Sequence, residues 1–332
     1  MVRPDGPEAG ERERLLRVLG DAQSAYFNGN VAHALTQFMD VLGCDCDRDI
    51  RARALCGAGG VLGHSGRVDL AGRLLSEASE LAFALDNQRL QLAIASNWSL
   101  LDLSRMAYAN VLRRTQLLAR MNIDSPDNAQ PMWAVLINRA TAANELRQFD
   151  ESLKCLDAAA RLAEECQLGF PMSSMGRALR ARVLVSADRV AEAKLLLDLL
   201  ASERVVGLAR LYCNLASAGI DEAEHRLDTA EASYRAIADD VTTPRSSRLA
   251  AQRGLIRVLT SKADHQAALD ELARFCNAIV DIRGTRETDA PSARELVIKL
   301  LSNFGRATQT PASTPGRSEE HTSELQSLAC IS

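Results

Sequence analysis

The segment from Leu146 to Glu164, LRQFDESLKCLDAAARLAE, decides the fold that we predict for this chain. Its apolar residues recur every three or four positions, which places them in one stripe along a helix, and its charged residues fall on the other faces. The stripe consists of Phe149, Leu153, Leu156, Ala160 and Ala163. Two small residues, Ser152 and Ala159, lie where a neighbouring helix can approach closely. The segment therefore predicts an amphipathic helix that packs inside a larger helical assembly.

The same pattern recurs along the chain as pairs of helices joined by short turns. In the first pair, helical patterns over residues 11–27 and 31–42 flank the turn Gly29-Asn30. A small residue near the start of each second helix marks the pair, and these residues follow one another at intervals of 37 to 43 positions, a period typical of helical repeat arrays. They are Ala34, Ala71, Ala109, Ser152, Ala193, Ala230 and Ala268. The sequence thus predicts an all-α protein with about seven helical hairpins over residues 11–282.

Proline placement supports this division of the chain. All nine prolines fall at the chain ends or between the proposed hairpins, where a missing backbone N–H costs little. After Pro291, the pattern of Ser292–Phe304 predicts one more helix that caps the array, and residues 305–317 are typical of a linker. Residues 1–10 are expected to be disordered, because they contain Pro and Gly at the end of the chain.

The turn and small-residue motifs resemble those of tetratricopeptide repeats (TPR). The motifs are Gly29-Asn30-Val31-x-x-Ala34, Gly66-Arg67-Val68-x-x-Ala71 and Gln148-Phe149-x-x-Ser152, followed four positions later by Phe38, Leu75 and Leu156. Small residues about a dozen positions earlier fit the place where that family packs its two helices together, and these are Ala22, Gly59, Ala140 and Ala181. The repeats exceed the usual 34 residues and are similar to the extended repeats of bacterial signalling and transcription regulators.

The resemblance implies a right-handed α-solenoid of about seven TPR-like hairpins with a C-terminal capping helix, spanning residues 11–304. The third and sixth hairpins, with turns at residues 105–107 and 225–227, lack the turn glycine. Their register is therefore left open by a few residues.

A solenoid of this family implies binding, because its first helices line a concave face that usually receives a peptide or a partner helix. Counting around the first helices places six candidate partner-binding residues on that face, namely Tyr26, Trp98, Asp102, Asn144, Arg182 and Arg257. An aromatic surface with hydrogen-bonding and guanidinium groups suits an extended peptide of some acidic character. For each residue taken singly, the alternative is ordinary packing or a solvated helix surface.

Composition and charge argue against several classes of protein. The net charge is −4 and the pI is near 5.8, with Lys and Arg spread along the chain, so we expect no nucleic-acid partner. No segment approaches the roughly 20 apolar residues of a membrane helix, and the N-terminus lacks a secretion signal. We therefore expect a soluble, cytoplasmic chain whose eight cysteines stay reduced.

No pattern for catalysis is visible in the sequence. Cys44-x-Cys46, with Cys56 and His64, is the cluster most similar to a metal site, but zinc sites space their close ligands by two to four residues. The acidic residues at 45–49 suit helix capping better than a calcium loop. No nucleophile elbow, phosphate-binding loop or dinucleotide glycine pattern is present. We predict no enzymatic activity, no metal and no cofactor.

The end of the chain has a different origin in our interpretation. The stretch Arg317–Ser327, RSEEHTSELQS, resembles the translation of a widely used short-read sequencing adapter. We interpret residues 318–332 as an adapter-derived artefact; the alternative is a polar disordered tail. The natural gene is then expected to continue differently beyond Gly316.

Two functional hypotheses follow from the sequence. The first is a protein–protein interaction module that binds a peptide or partner protein on the concave face of a TPR solenoid. The second is the N-terminal sensory or regulatory TPR region of a truncated bacterial signalling protein, whose missing output domain is a diguanylate cyclase or a DNA-binding transcription regulator. The sequence indicates neither the partner nor the oligomeric state.

Overall fold

The computed structural model describes residues 7–116, 118 and 126–283, and the regular structure of these residues is helical, as the sequence predicts. The fourteen α-helices of the described ranges are α1 (Pro7–Phe27), α2 (Val31–Leu42), α3 (Arg48–His64), α4 (Val68–Ala84), α5 (Gln88–Ser104), α6 (Tyr108–Thr115), α7 (Ala129–Glu145), α8 (Phe149–Glu165), α9 (Phe170–Ser186), α10 (Val190–Ala201), α11 (Gly207–Ala223), α12 (Leu227–Asp239), α13 (Arg245–Ser261) and α14 (His265–Arg283). A 3-10 turn, Pro126–Asn128, precedes α7. The predicted capping helix, linker and tail lie outside the described residues.

The helices form consecutive pairs that stack as a helical repeat array. The first helix of each pair from α3 to α13 spans 17 residues. Each first helix packs against its own second helix and against the first helix of the neighbouring pair. This constant length lets every pair offer the same faces to the next one, so apolar stripes that a single pair leaves uncovered are buried by stacking.

One turn geometry joins the two helices of every described pair. A single residue adopts the left-handed backbone conformation, with φ between 59° and 84°. The next N–H bonds back to the carbonyl five residues earlier, as Gln148 N does to Ala143 O at 2.8 Å, which is the Schellman pattern. The left-handed residues are Gly29, Gly66, Met106, Arg147, Asp188, His225 and Ala263. Five of these seven turns, including those of pairs three and six, are therefore made without glycine.

These turns settle the register of the repeats. A buried residue lies five positions after each left-handed residue, in the order Ala34, Ala71, Val111, Ser152, Ala193, Ala230 and Ala268. In the third pair this residue is Val111, which is fully buried, whereas Ala109 is exposed. The predicted anchor Ala109 was wrong by two residues, because α6 begins at Tyr108 and not at the turn.

The segment that first suggested the fold is a turn followed by α8. Residues 146–148 form the turn, and the helix begins at Phe149. The Ser152 hydroxyl donates a hydrogen bond of 2.8 Å to the carbonyl of Ala140 on α7, so this small residue does mark a close helix approach. Ala160 is exposed, and Leu162 is buried beside Ala163. The buried stripe thus differs from the predicted one near the end of the helix.

Prolines within the described helices lie in first turns. Pro7, Pro131 and Pro171 fall among the first three residues of α1, α7 and α9, where the missing N–H would have no helical partner. Helix α1 begins at Pro7, so residues 7–10 are helical and not part of a disordered N-terminus.

The array curves until its last pairs contact its first ones. Gly207, at the start of α11, lies against the turn after α1, and a Cβ at Gly207 would come within 2.5 Å of the Phe27 carbonyl oxygen. Arg245, at the start of α13, packs against Gly66 in the turn after α3. Farther along α13, Arg253 forms an ion pair with Glu145 of α7. The inner face is therefore enclosed between early and late pairs.

The core lies between the two helices of each pair and between successive pairs. Its largest buried side chains include Trp133 of α7 and Phe275 of α14. Within the described ranges, no helix has both the length and the apolar character needed to cross a membrane.

Candidate functional site

The inner face of the first helices encloses a cavity of about 390 Å³. Helices α1, α3, α5 and α7 form most of its wall, and the first turns of α11 and α13 close it with Leu208 and Ser246. This volume lies within the range of small-ligand sites. The cavity is therefore our candidate binding site.

Much of the cavity wall is apolar and aromatic. Trp133 in this wall is almost fully buried, and the lack of side chains at Gly57 and Gly60 lets the Phe38 ring and the Asn97 amide pack against the backbone of α3. The apolar lining comprises Leu16, Leu19, Phe27, Phe38, Val61, Leu90, Leu100, Leu103, Ile137, Met175 and Leu208. A wall of this kind favours a ligand with an apolar body.

A tyrosine–histidine pair lies where α1 and α3 end. The Tyr26 hydroxyl and His64 Nδ1 are 2.5 Å apart, and the His64 side chain is buried. Burial lowers the pKa of His64 to about 4, so the ring is neutral at neutral pH. Burial also raises the pKa of Tyr26, which keeps its hydroxyl protonated. This end of the cavity offers hydrogen bonds without charge.

Two asparagines bring amide groups to the wall from neighbouring helices. Asn97 Nδ2 donates to the carbonyl of Cys56 at 2.8 Å, and Asn138 Nδ2 donates to the carbonyl of Ser96 at 2.9 Å. Each asparagine precedes the left-handed turn residue of its own pair by nine positions, so the two occupy the same place in successive repeats. Each ties its helix to the preceding first helix and adds polar character to the cavity.

The opposite end of the cavity carries positive charge. Arg53 of α3 and Arg89 of α5 line it, together with Asn87 and Gln130. Arg53 Nε lies 2.8 Å from Asp49 Oδ2. Arg89 is exposed and makes no ion pair with any residue that the structure describes. None of the described residues that line the cavity is acidic.

Of the six predicted partner-binding residues, Tyr26 lines this cavity. Trp98 lies on a separate groove with residues of α4, and the Arg114 guanidinium is 5.6 Å from the centre of its ring. Asp102 is buried and accepts a hydrogen bond of 3.2 Å from Arg114 Nε. Trp98 and Asp102 thus share a basic neighbour on α6.

The other three predicted residues lie in or beside a group of ion pairs on the later helices. Arg182 Nη2 is 2.5 Å from Glu145 Oε1, and Arg257 Nε is 2.7 Å from Glu222 Oε1. Asn144 is buried next to Glu145 in α7. The arginines that we expected to bind a partner's acidic groups therefore already pair with acids of this chain.

Glu145 is the centre of this ion-pair cluster, which we define as Glu145, Arg182, Arg253, Glu222 and Arg257. Its two carboxylate oxygens contact Arg182 and Arg253. Burial raises the pKa of Glu145, but the charges of Arg253 and Arg182 outweigh this effect and lower the pKa below its usual range. Glu145 is thus ionised and joins α7 to both α9 and α13.

Sequence reasoning missed most of the cavity. His64 was considered as a metal ligand, but no group of three or more metal-ligating side chains occurs among the described residues. Asn97 and Asn138 are 41 positions apart, a repeat spacing that identifies them as equivalent once the turns are known. Arg89 and Trp133 carry no signal in one sequence, because the cavity depends on contacts between distant pairs.

No protein-family model matches the chain, and no curated protein matches it.

Proposed function

We propose that this chain is a right-handed TPR-like solenoid acting in the cytoplasm as a protein–protein interaction module, which takes a short peptide segment of a partner into its interior cavity. The repeated Schellman turns, the buried residue five positions later and the close contact of Ser152 with Ala140 support the family assignment. The observation that carries the function is the largely apolar cavity on the inner face, with amide and hydroxyl groups on its wall.

The polar groups of the cavity favour an extended chain end over a partner helix. A helix satisfies most of its backbone N–H and C=O groups internally, whereas an extended segment offers them to a binding site. The amide groups of Asn97 and Asn138 line the cavity and can hydrogen-bond to such a backbone.

Filling the cavity tests the proposal. In Ala93→Phe and Ala134→Phe, a phenyl ring replaces a methyl group on the cavity wall. Ala160→Phe, on the exposed face of α8, is the matched control. Peptides selected from a random display library on the wild-type chain should lose at least tenfold in affinity for both cavity variants and bind the control unchanged. Circular dichroism verifies that each variant is folded.

If both folded cavity variants bind the selected peptides as tightly as the control does, the cavity is not the binding site. Failure of the library to yield any peptide that binds the wild-type chain would also contradict the proposal.

The regulatory hypothesis gains support from the contacts between early and late pairs. A ligand in the cavity touches both α1 and α11, so binding and the curvature of the array are coupled. Such coupling suits the input region of a signalling protein. Genomic sequencing through the codon of Gly316 tests this alternative, because an open frame into a diguanylate cyclase or a DNA-binding domain would support it and an immediate stop codon would contradict it.

A further inference from the structure

The two ends of the cavity differ in charge, and this difference indicates how a ligand is oriented. We infer that the ligand is a small amphipathic anion, with a carboxylate at the end formed by Arg53 and Arg89 and an apolar body that extends toward Tyr26 and Phe27. This inference rests on the proposed binding site and specifies the chemistry of its ligand.

The lining is basic although the chain is acidic. The whole chain has 43 acidic and 39 basic residues, yet the described lining contains two arginines and no Asp or Glu. An anion in the cavity therefore meets no directly facing carboxylate. A cation would meet two guanidinium groups, and the nearest acid, Asp49, is already paired with Arg53.

Arg89 supplies the charge that no acid of the described chain neutralises. Arg53 shares Asp49 with Arg12, whose Nη2 is 3.8 Å from Asp49 Oδ2. Arg12 also pairs with Asp47 at 2.9 Å. With Arg89 included, this group has three positive and two negative charges, so its net charge is positive before a ligand enters.

Helix ends add to the positive potential at the same place. Arg89 and Gln130 are each the second residue of a helix, in α5 and α7 respectively. The N-terminus of a helix carries a partial positive charge and N–H groups without helical partners. In α5 the Asn87 side chain accepts from Leu90 N at 3.0 Å, whereas Asn128 makes no such bond at the start of α7.

The opposite end of the cavity disfavours a charged group. Tyr26 and His64 bond to each other and are both neutral, and the rings of Tyr26 and Phe27 are in edge-on contact with 5.6 Å between their centres. An ion placed there would lose its hydration without a counter-charge. An apolar group would instead gain burial against aromatic and aliphatic carbons. The charged end of the ligand is thus directed to the arginines.

Four probes separate the two sources of such a carboxylate. Octanoate represents a free fatty acid and octanol its neutral counterpart. N-acetyl trileucine with a free C-terminus represents a peptide end, and N-acetyl trileucine amide is its neutral counterpart. Trp98→Phe removes the tryptophan outside the cavity, so that Trp133 alone reports binding by fluorescence.

At least one carboxylate probe should bind the Trp98→Phe chain with an affinity at least tenfold higher than that of its neutral counterpart. Arg89→Gln should abolish this difference. Arg67→Gln is the control, because Arg67 is exposed in the turn before α4 and does not line the cavity. Added salt should weaken the binding of the carboxylate probe more than the binding of its neutral counterpart.

Each outcome decides between the two proposals. Equal affinities for acid and amide peptides would overturn the anion inference and leave peptide binding intact. Binding of octanoate without either peptide would support the anion inference and count against peptide binding. If no probe changes Trp133 fluorescence or competes with a displayed peptide, the anion inference fails. The anion inference would also be overturned if Arg89→Gln and Arg67→Gln reduced the affinity for the carboxylate probe equally.

Discussion

The inner surface of the array has two parts that share one scaffold and differ in what fills them. Pairs one to four, whose first helices form most of the cavity wall, carry uncharged residues six and ten positions before the left-handed turn residue. Gly60 and Ser96 are examples. Pair five carries Arg182 at the first of these positions and pair seven carries Arg257 and Arg253 at the two, whereas pair six carries Gly219 and Leu215. Because the helices and turns are alike, the arginines of pairs five and seven change this surface into a set of ion pairs.

The position two residues before the turn shows the same contrast. It is His64 in the cavity and Glu145 in the ion-pair cluster. The cavity keeps a buried, neutral ring bonded to Tyr26, whereas the cluster keeps a buried anion between two arginines. A single repeat position thus lines the cavity in pair two and connects helices through ion pairs in pair four.

The largest effect is expected when the ion-pair cluster loses its anion. Glu145→Gln leaves Arg182 and Arg253 partly buried without their counter-charge, which should cost about 4 kcal/mol in the free energy of unfolding. Urea denaturation measures the change. Glu192→Gln, in the exposed pair with Arg189 on α10, is the control and should leave the urea midpoint unchanged. Similar losses in both variants would show that Glu145 has no special role.

The cavity half should respond to pH through His64. Burial lowers the pKa of the folded ring to about 4, whereas an unfolded histidine titrates near 6.5. As pH falls, the unfolded chain takes up the proton first, so this contribution to stability is complete above pH 6.5 and is lost between 6.5 and 4. The loss approaches about 3 kcal/mol.

Urea denaturation between pH 7 and pH 4 tests this expectation against His64→Gln. The variant lacks the titrating ring, so its stability should fall less steeply over the same interval. Parallel pH profiles for the wild type and the variant would show that His64 does not titrate as its burial requires.

Contact between the early and late pairs should depend on Gly207. Its φ is +59°, and a Cβ would meet the Phe27 carbonyl oxygen at 2.5 Å, so Gly207→Ala should destabilise the chain by about 2 kcal/mol. Amides near the end of α1 and the start of α11 should exchange hydrogen faster. Gly10→Ala, with no atom within 4 Å of the added methyl group, is the control. Unchanged exchange at α1 in Gly207→Ala would contradict this account of closure.

The local sequence pattern was sufficient to predict the helices and their arrangement in repeated pairs. Helical periodicity depends on neighbours three and four positions away, so the helix predicted over residues 31–42 was located to the residue as α2 (Val31–Leu42). The register of the third pair was left open because no turn glycine marks it, and its anchor Ala109 was wrong by two residues. Met106 adopts the left-handed conformation there without a glycine.

The cavity and the ion-pair cluster were beyond the reach of one sequence for a different reason. They depend on contacts such as Gly29 with Gly207 and Glu145 with Arg253, which arise only after the small rotations between many pairs add up. Counting around a helix located Tyr26 on the cavity wall, but it gave no means of knowing that Arg182 meets an acid of the same chain.

The smallest effect is expected at the packing contact common to both halves, the small residue five positions after the turn. In α8, Ser152 is fully buried and its hydroxyl bonds to the Ala140 carbonyl, so Ser152→Ala should cost about 1 kcal/mol through the lost hydrogen bond. Ala160→Ser adds a hydroxyl group on the exposed side of α8, where Ser152→Ala removes one from a buried position. This control should leave stability unchanged. Because Ala34, Ala71, Ala193, Ala230 and Ala268 occupy the position without a hydroxyl, a loss well above 1 kcal/mol at Ser152 would mean that this pair depends on the bond for more than helix packing.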